Sequence, residues 1–236
     1  MPAMAFYGGL GDLLATAAMG DWTIADEICI AYALSSWKPT LGTRATSQVS
    51  RQRRSGRRIA FSNHRLQFRT DAAPVVNWTF RPPIGTQEVV AEFTTADSVT
   101  IPRHLRVPEI RTYMMLAPLI ELDDPDLSPP PATDNAGRSA QTFLVEVVAR
   151  VGSQERRAVA TGRDIYAFTA PLVVTATECV LGMQRKTAGV FAAGEIFDAR
   201  DFLKSLCPAH LSIEIQGSHS IRDAACRDTQ ATVKAA

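Results

Sequence analysis

The sequence contains little that would support a disulfide framework or a metal centre. Only four cysteines occur among 236 residues, and no two of them form a C-x-x-C pair. They are Cys29, Cys179, Cys207 and Cys226. Cys29 falls in a strand-like pattern and Cys179 in a helix-like pattern, so we expect both to be small core residues. Neither structural zinc, nor any other metal site, nor a disulfide network is expected.

Long hydrophobic runs are also lacking. The longest, Ala170–Val174 and Thr142–Ala149, are far shorter than the roughly 20 apolar residues of a membrane helix, and Glu146 interrupts the second. No lysine or arginine precedes Lys38, so the basic start of a secretory signal is missing. We therefore expect a cytoplasmic protein without a membrane partner.

Charge of one sign does not dominate the chain. With 25 basic and 24 acidic residues the net charge is +1, so no global field favours nucleic acid or an anionic membrane. Five arginines do crowd into Gln48–Arg58. Because no aromatic residue interleaves with them, we interpret this segment as a solvated loop rather than a nucleic-acid site. No nucleic-acid partner is expected.

Recognisable catalytic and nucleotide-binding motifs are missing as well. The chain has no G-x-x-x-x-G-K-[ST], no G-x-S-x-G and no H-E-x-x-H. The glycines at positions 8, 9 and 11 do not complete a dinucleotide fingerprint, because Leu14 occupies the position of its third glycine.

A glycine turn nevertheless stands at the start of the chain. Residues 3–19 run from a short apolar stretch through Gly8 and Gly9 into the helix-like segment Asp12–Met19, which Gly20 ends. This pattern predicts a strand, a turn and a helix, a unit that brings backbone close to ligands in nucleotide-dependent enzymes. Asp12, in the first helical turn, suits the positive end of the helix dipole. A purely structural tight turn is the alternative.

The remaining patterns predict an α+β fold, with a mostly antiparallel sheet and helices packed on one face. Strands are predicted at Asp26–Leu34, Val75–Phe80, Glu88–Phe93 and Val190–Ala193, in a hairpin over Arg58–Phe68, and in a long hairpin of Thr142–Arg150 with Arg156–Phe168. Helices are predicted at Ala170–Leu181 after Thr169 and at Ala199–Leu206 after Asp198. Pro108–Leu116 carries a proline typical of a helix start, and Asp123–Gly137 is predicted to be an acidic, mobile loop.

Three residues are candidate catalytic groups. Asp97 lies in a polar segment with His104, and histidine exchanges protons near neutral pH. Tyr166 follows Arg163 and Asp164 near the end of a predicted core strand, where its hydroxyl would face the mouth of a site. The structural alternatives are a surface histidine and an Arg163–Asp164 ion pair with tyrosine at the edge of the core.

Several longer strings resemble one known family, the saccharopine dehydrogenase-like NAD(P)-binding oxidoreductases. They are PAMAFYGGLGDLLA at 2–15, YALSSWKPT at 32–40, EFTTAD at 92–97, GRDIY at 162–166 and GEIFDARDF at 194–202. The resemblance spans about residues 2–214 and corresponds to the portion that follows the Rossmann half in that family. The Asp-Pro-Gly form of saccharopine reductases proper is absent, which puts saccharopine itself in doubt as the substrate.

The resemblance implies a specific organisation and function. Residues 1–20 would be the last strand, turn and helix of a truncated nucleotide-binding domain, residues 21–214 an α+β substrate and dimerisation domain, and residues 215–236 a poorly ordered tail. Gly8, Gly9 and Asp12 would lie near the nicotinamide end of NAD or NADP. Because the glycine fingerprint is missing, we expect no tight cofactor binding and weak or no activity alone.

The implied partners are a small-molecule substrate and a second copy of the chain in a homodimer. The alternative to an oxidoreductase portion is a non-enzymatic dimerisation or ligand-binding module.

Overall fold

The computed structural model describes residues 1–183 and 188–220, and within them nine strands form one mixed sheet. The strands are β1 (Glu27–Leu34), β2 (Arg58–Ser62), β3 (Arg65–Arg69), β4 (Val75–Thr79), β5 (Thr86–Ala91), β6 (Glu109–Met115), β7 (Thr142–Val151), β8 (Gln154–Arg163) and β9 (Ser212–Ser220). The helices are α1 (Gly11–Met19), α2 (Leu41–Arg53), α3 (Asp97–Thr100), α4 (Leu116–Asp123), α5 (Ile165–Gly182), α6 (Ala193–Ile196) and α7 (Ala199–Ser205).

The sheet follows the order β3-β2-β6-β1-β7-β8-β9, and the β4–β5 hairpin joins it through β6. Only β1 and β6 pair in parallel among the described strands, with Ile28 opposite Ile110. The long β7–β8 hairpin lies next to β1 and keeps its register from Thr142 opposite Arg163 to Val151 opposite Gln154. The α+β prediction is therefore confirmed.

Helices cover one face of this sheet. Alternate residues of β1, such as Ile28 and Ile30, join a core cluster with Leu13 of α1, Leu172 of α5 and Leu203 of α7. The other β1 positions face a second cluster that contains no helical residue. There, the β4–β5 hairpin supplies the cover. This one-sided arrangement follows from the period-2 alternation of strand side chains.

Several sequence predictions are confirmed. The predicted strand over Asp26–Leu34, the hairpin over Arg58–Phe68 and the long hairpin beginning at Thr142 are present as β1, β2–β3 and β7–β8. The short strands β4 and β5 lie where they were predicted, as does α7. Asp198 caps α7 as expected, because its side chain accepts a hydrogen bond from the Asp201 amide.

Other predictions near the N-terminus are wrong. Residues 1–26 contain no strand, and Phe6–Leu10 instead form an irregular tight turn that leads directly into α1. The apolar stretch before the glycines is buried against helix and sheet rather than paired in the sheet. Of the arginine-rich segment predicted as a loop, residues 48–53 belong to the exposed helix α2, which Thr40 caps, and only residues 54–57 form a turn before β2.

Corrections also apply to the second half of the chain. Pro108–Leu116 leads into the strand β6 rather than a helix, and the predicted strand Val190–Ala193 is absent. Helix α5 begins three residues after Gly162 of β8, at Ile165, because Asp164 rather than Thr169 caps it. Strand β9 occupies part of the predicted tail, whose residues 221–236 lie outside the described residues. Cys179 is exposed, whereas Cys29 is buried as predicted; Cys226 lies outside the described residues.

Candidate functional site

The best candidate site lies where α1, β1 and the α3 segment meet. Asp12 sits in the first turn of α1, directly after the glycine turn, and its side chain is buried. Asp97 opens α3 and is fully buried. His104 follows the short helical turn at 101–103. Three of the six predicted site residues therefore converge, although they come from segments about 90 residues apart.

Asp12 and His104 form a close pair. The distance from Nε2 of His104 to Oδ1 of Asp12 is 2.7 Å, and the His104 side chain is only 9% exposed. With the Asp12 carboxylate as acceptor, the ring donates through Nε2–H. In neutral histidine this leaves Nδ1 as the acceptor nitrogen, and Nδ1 makes no hydrogen bond within the described residues.

Asp97 pairs instead with a tyrosine from the neighbouring strand. The Tyr32 hydroxyl donates to Oδ2 of Asp97 over 2.8 Å inside the core. Burial raises the pKa of Asp97 to about 6, and the nearby charge of Asp12 acts in the same direction. The hydrogen bond from the Tyr32 hydroxyl opposes this rise. Asp97 therefore exchanges its proton closer to neutral pH than an ordinary carboxyl group.

Two glycines allow these groups to approach the backbone. A Cβ at Gly11 would lie 2.2 Å from Oδ1 of Asp97 and 2.7 Å from the Tyr32 hydroxyl. A Cβ at Gly194, in α6, would lie 2.7 Å from Oδ1 of Asp12 and 2.8 Å from Cε1 of His104. Any side chain at either position would displace the carboxyl groups, so the site depends on both glycines.

The site contains several buried polar atoms without a partner among the described residues. They are the hydroxyls of Tyr7, Thr95 and Thr100, Oδ2 of Asp12 and Oδ1 of Asp97. Native proteins pair nearly all such atoms, so five of them in one region call for hydrogen-bond partners from outside the chain. The unpartnered carboxyl oxygens supply hydrogen-bonding capacity for a small polar group.

Tyr166 lies in an adjoining network rather than in the Asp12–His104 pair. Its hydroxyl accepts hydrogen bonds from Nε1 of Trp37 at 3.2 Å and from Oγ1 of Thr43 at 3.1 Å. This ties the first turn of α5 to the segment between β1 and α2. Tyr7 stacks within 5.2 Å of Trp37 and 5.1 Å of Tyr32, and thereby lies between the two networks.

The local charges around Tyr166 differ from the predicted alternative. Arg163 donates to Oγ1 of Thr133 and to the carbonyl of Ser139, and makes no ion pair with Asp164. Asp164 accepts hydrogen bonds from the backbone amides of Tyr166 and Ala167, which is an N-cap role. Together with the Ser139 amide, which donates to Oδ2 over 2.7 Å and has the largest lowering effect, these bonds hold the pKa of Asp164 below its ordinary value against the opposing effect of burial.

The residues predicted to contact a dinucleotide are enclosed by the chain itself. Gly8 and Gly9 are buried, and the Cβ position of Gly8 lies 2.8 Å from the carbonyl oxygen of Ala3 and 2.9 Å from the Cβ of Ala96. The turn requires a glycine at position 8, where φ is +101°. The cofactor role of Gly8, Gly9 and Asp12 stays a prediction.

Chemically, the arrangement offers proton exchange. A carboxylate that orients an imidazole, beside a second carboxyl group whose pKa lies at about 6, is suited to general acid–base work. Within residues 1–183 and 188–217, no three His, Cys, Asp or Glu side chains are grouped so that they could hold a metal ion.

Sequence reasoning missed the tyrosines and two glycines of this site. Tyr32 belongs to an apolar strand, but a buried tyrosine hydroxyl needs a partner, and that requirement is the signal that would have pointed to an acid nearby. Tyr7 gave the same signal in the apolar stretch before the glycines. Gly11 and Gly194 carried no signal by spacing, because the groups that they admit come from distant segments.

Comparison with known proteins adds no assignment. No protein-family model matches the chain, and no curated protein matches it.

One helix within the described residues, α5, is long and apolar enough to cross a membrane by length and composition alone. Its inner side belongs to the core through Phe168, Leu172 and Ala176, whereas Val174 and Leu181 are exposed.

Proposed function

We propose that the chain is the substrate and dimerisation portion of an NAD(P)-dependent oxidoreductase of the saccharopine dehydrogenase-like type. The observation that carries this proposal is the buried Asp12–His104 pair beside Asp97, all within segments that contain or adjoin the family-like strings. A small substrate with a carbonyl or imine group would find there both a proton donor and a proton acceptor. On this proposal the chain alone is inactive or weakly active.

Cofactor binding tests one part of the proposal. Because the glycine turn is enclosed, calorimetric titration of the purified chain with NADPH and NADH should give no binding heat. Binding at micromolar or lower concentrations would contradict the account of the turn.

Ligand binding tests the site itself. A panel of small keto acids, aldehydes and cyclic imines, screened by thermal unfolding, should include compounds that raise the Tm of the wild-type chain. His104→Gln should abolish that increase, and His210→Gln, at an exposed position outside the site, should retain it. A panel in which no compound distinguishes the two variants would contradict a substrate role for His104.

A second function, a non-enzymatic dimerisation module, is favoured by one observation. The outer side of α5 exposes Val173, Val174, Val180 and Leu181, with Glu178 as the only charge of the helix. Such an exposed apolar face is typical of an interface. Sedimentation of the wild type and of Val174→Asp/Leu181→Asp should distinguish dimer from monomer. Dimerisation with no ligand in the panel would favour this second function over the first.

A further inference from the structure

The neutral net charge of the chain conceals a strong local asymmetry. Between residues 28 and 70 the sequence contains nine Lys and Arg residues and no Asp or Glu. Since the whole chain carries +1, the remainder carries −8. Helix α2 and the β2–β3 hairpin lie entirely within this segment.

The fold neutralises only part of this charge. Arg58 and Arg69 both pair with Glu92, and Arg58 also contacts Asp71. Helix α2, in contrast, has no buried residue at all. The side chains of Arg53 and Arg65 are exposed and make no hydrogen bond or ion pair within the described residues. Arg51 has one distant partner, Asp123 at 3.9 Å, with both side chains more than 70% exposed. An ion pair as exposed as this contributes little to the stability of the fold.

Exposed apolar side chains accompany the arginines. Leu41 and Val49 lie eight residues apart on α2 and are 81% and 44% exposed. On the edge strand β3, Leu66 and Phe68 are exposed on the same side, and the guanidinium of Arg57 lies 4.8 Å from the centre of the Phe68 ring. Arg57 lies between α2 and β2, so this contact places the segment that follows α2 against the Phe68 ring of β3. We call the exposed face of α2 and β3 the basic surface.

We propose that the basic surface docks onto an anionic lipid bilayer. Exposed arginine side chains without an acidic partner, such as those of Arg53 and Arg65, combined with protruding leucine, valine and phenylalanine side chains, are the chemistry of a peripheral membrane contact. Nucleic acid is less well matched, because Phe68 is the only aromatic residue on the surface for base stacking, whereas three aliphatic side chains protrude. The proposal replaces the sequence-based expectation of no membrane partner.

Vesicle sedimentation tests the proposal. The full chain should bind vesicles of phosphatidylcholine that contain one third phosphatidylserine, should ignore pure phosphatidylcholine, and should be released by raised salt. Arg53→Glu/Arg65→Glu should weaken binding more than about twentyfold, because each cation near an anionic membrane contributes about fivefold. The matched control, Arg106→Glu/Lys204→Glu, makes the same change in net charge at exposed positions outside the segment and should bind within about threefold of wild type.

A separate variant tests the exposed apolar side chains of the basic surface. Leu41→Ser/Leu66→Ser should weaken vesicle binding several-fold while leaving its salt dependence unchanged. Equal loss in both charge-reversal variants would overturn the proposal, because it would assign binding to net charge. Binding to single-stranded RNA without binding to anionic vesicles would also overturn it and assign the surface to nucleic acid. Failure to bind phosphatidylserine vesicles at low salt would overturn it directly.

Discussion

Replacement of Asp97 by asparagine should remove a pH dependence from the stability of the protein. Asp97 is fully buried, and its pKa is raised from 3.8 to about 6, chiefly by burial. The folded state therefore holds a proton at this position over a pH range in which the unfolded chain has already released it. Stability from this group is complete below pH 3.8 and is lost as the pH rises through about 6.

The size of the effect follows from the two pKa values. The difference between 3.8 and about 6 corresponds to about 3 kcal/mol of unfolding free energy. In Asp97→Asn the side chain stays neutral at every pH, and its carbonyl oxygen can still accept the hydrogen bond of Tyr32. We therefore expect the variant to equal or exceed the wild type in stability at pH 8.

Urea unfolding between pH 4 and pH 8, followed by circular dichroism, measures this difference. The variant minus wild-type free energy should increase by about 2 kcal/mol between these limits, because part of the total is already lost at pH 4, and the change should extend from pH 4 to about pH 6. Asp126→Asn, at an exposed loop position, is the matched control and should give a flat difference. A flat difference for Asp97→Asn as well would refute the reasoning that burial controls this carboxyl group.

Three further variants test the packing and capping around the site. Gly11→Ala should cost about 1–3 kcal/mol of stability, because its Cβ would lie 2.2 Å from Asp97, whereas Gly42→Ala, whose Cβ finds nothing nearer than 3.7 Å, should be neutral or stabilising in denaturant unfolding. Asp164→Ala should cost about 1–2 kcal/mol in the same assay, since it removes the side-chain cap of α5. Trp78→Phe should cost about 1–3 kcal/mol at neutral pH, because the indole N–H of Trp78 donates to the fully buried Glu146 carboxylate.

The sequence predicted those elements whose pattern of apolar and turn residues matches the way in which they pack in the fold. The β7–β8 hairpin combines a long apolar run, a Gly152–Ser153 turn and two arms of equal length, so its pairing follows from the sequence. Helix α2 escaped prediction because it buries none of its residues and so shows no apolar period. Its cap at Thr40 was the one local signal.

Apolar composition led to a wrong prediction where residues are apolar because they pack in the core without belonging to a strand or a helix. The residues before Gly8 are apolar because they contact α5 and β1, yet they form a turn. In β6 the parallel pairing with β1 buries both faces, which removes the alternation that identifies a half-exposed strand.

The sequence identified three residues of the site, but it did not identify the side chains with which they form hydrogen bonds. Asp12, Asp97 and His104 were singled out individually, and only the fold brings His104 to Asp12 across 92 positions. No spacing rule links an acid in the first turn of one helix to a histidine that follows another short helix. The Asp97–Tyr32 contact depends likewise on the position of β1 beside α3.

The most direct test of the account is a measurement of the His104 ring proton. The account states that Nε2–H of His104 donates to Asp12 over 2.7 Å within a mostly buried site. Nuclear magnetic resonance of the ¹⁵N-labelled chain should then show a downfield, slowly exchanging ring proton on Nε2 of His104 that disappears in Asp12→Ala. Rapid exchange of that proton in the wild type, like that of the exposed His64 and His210 rings, would contradict the Asp12–His104 pair.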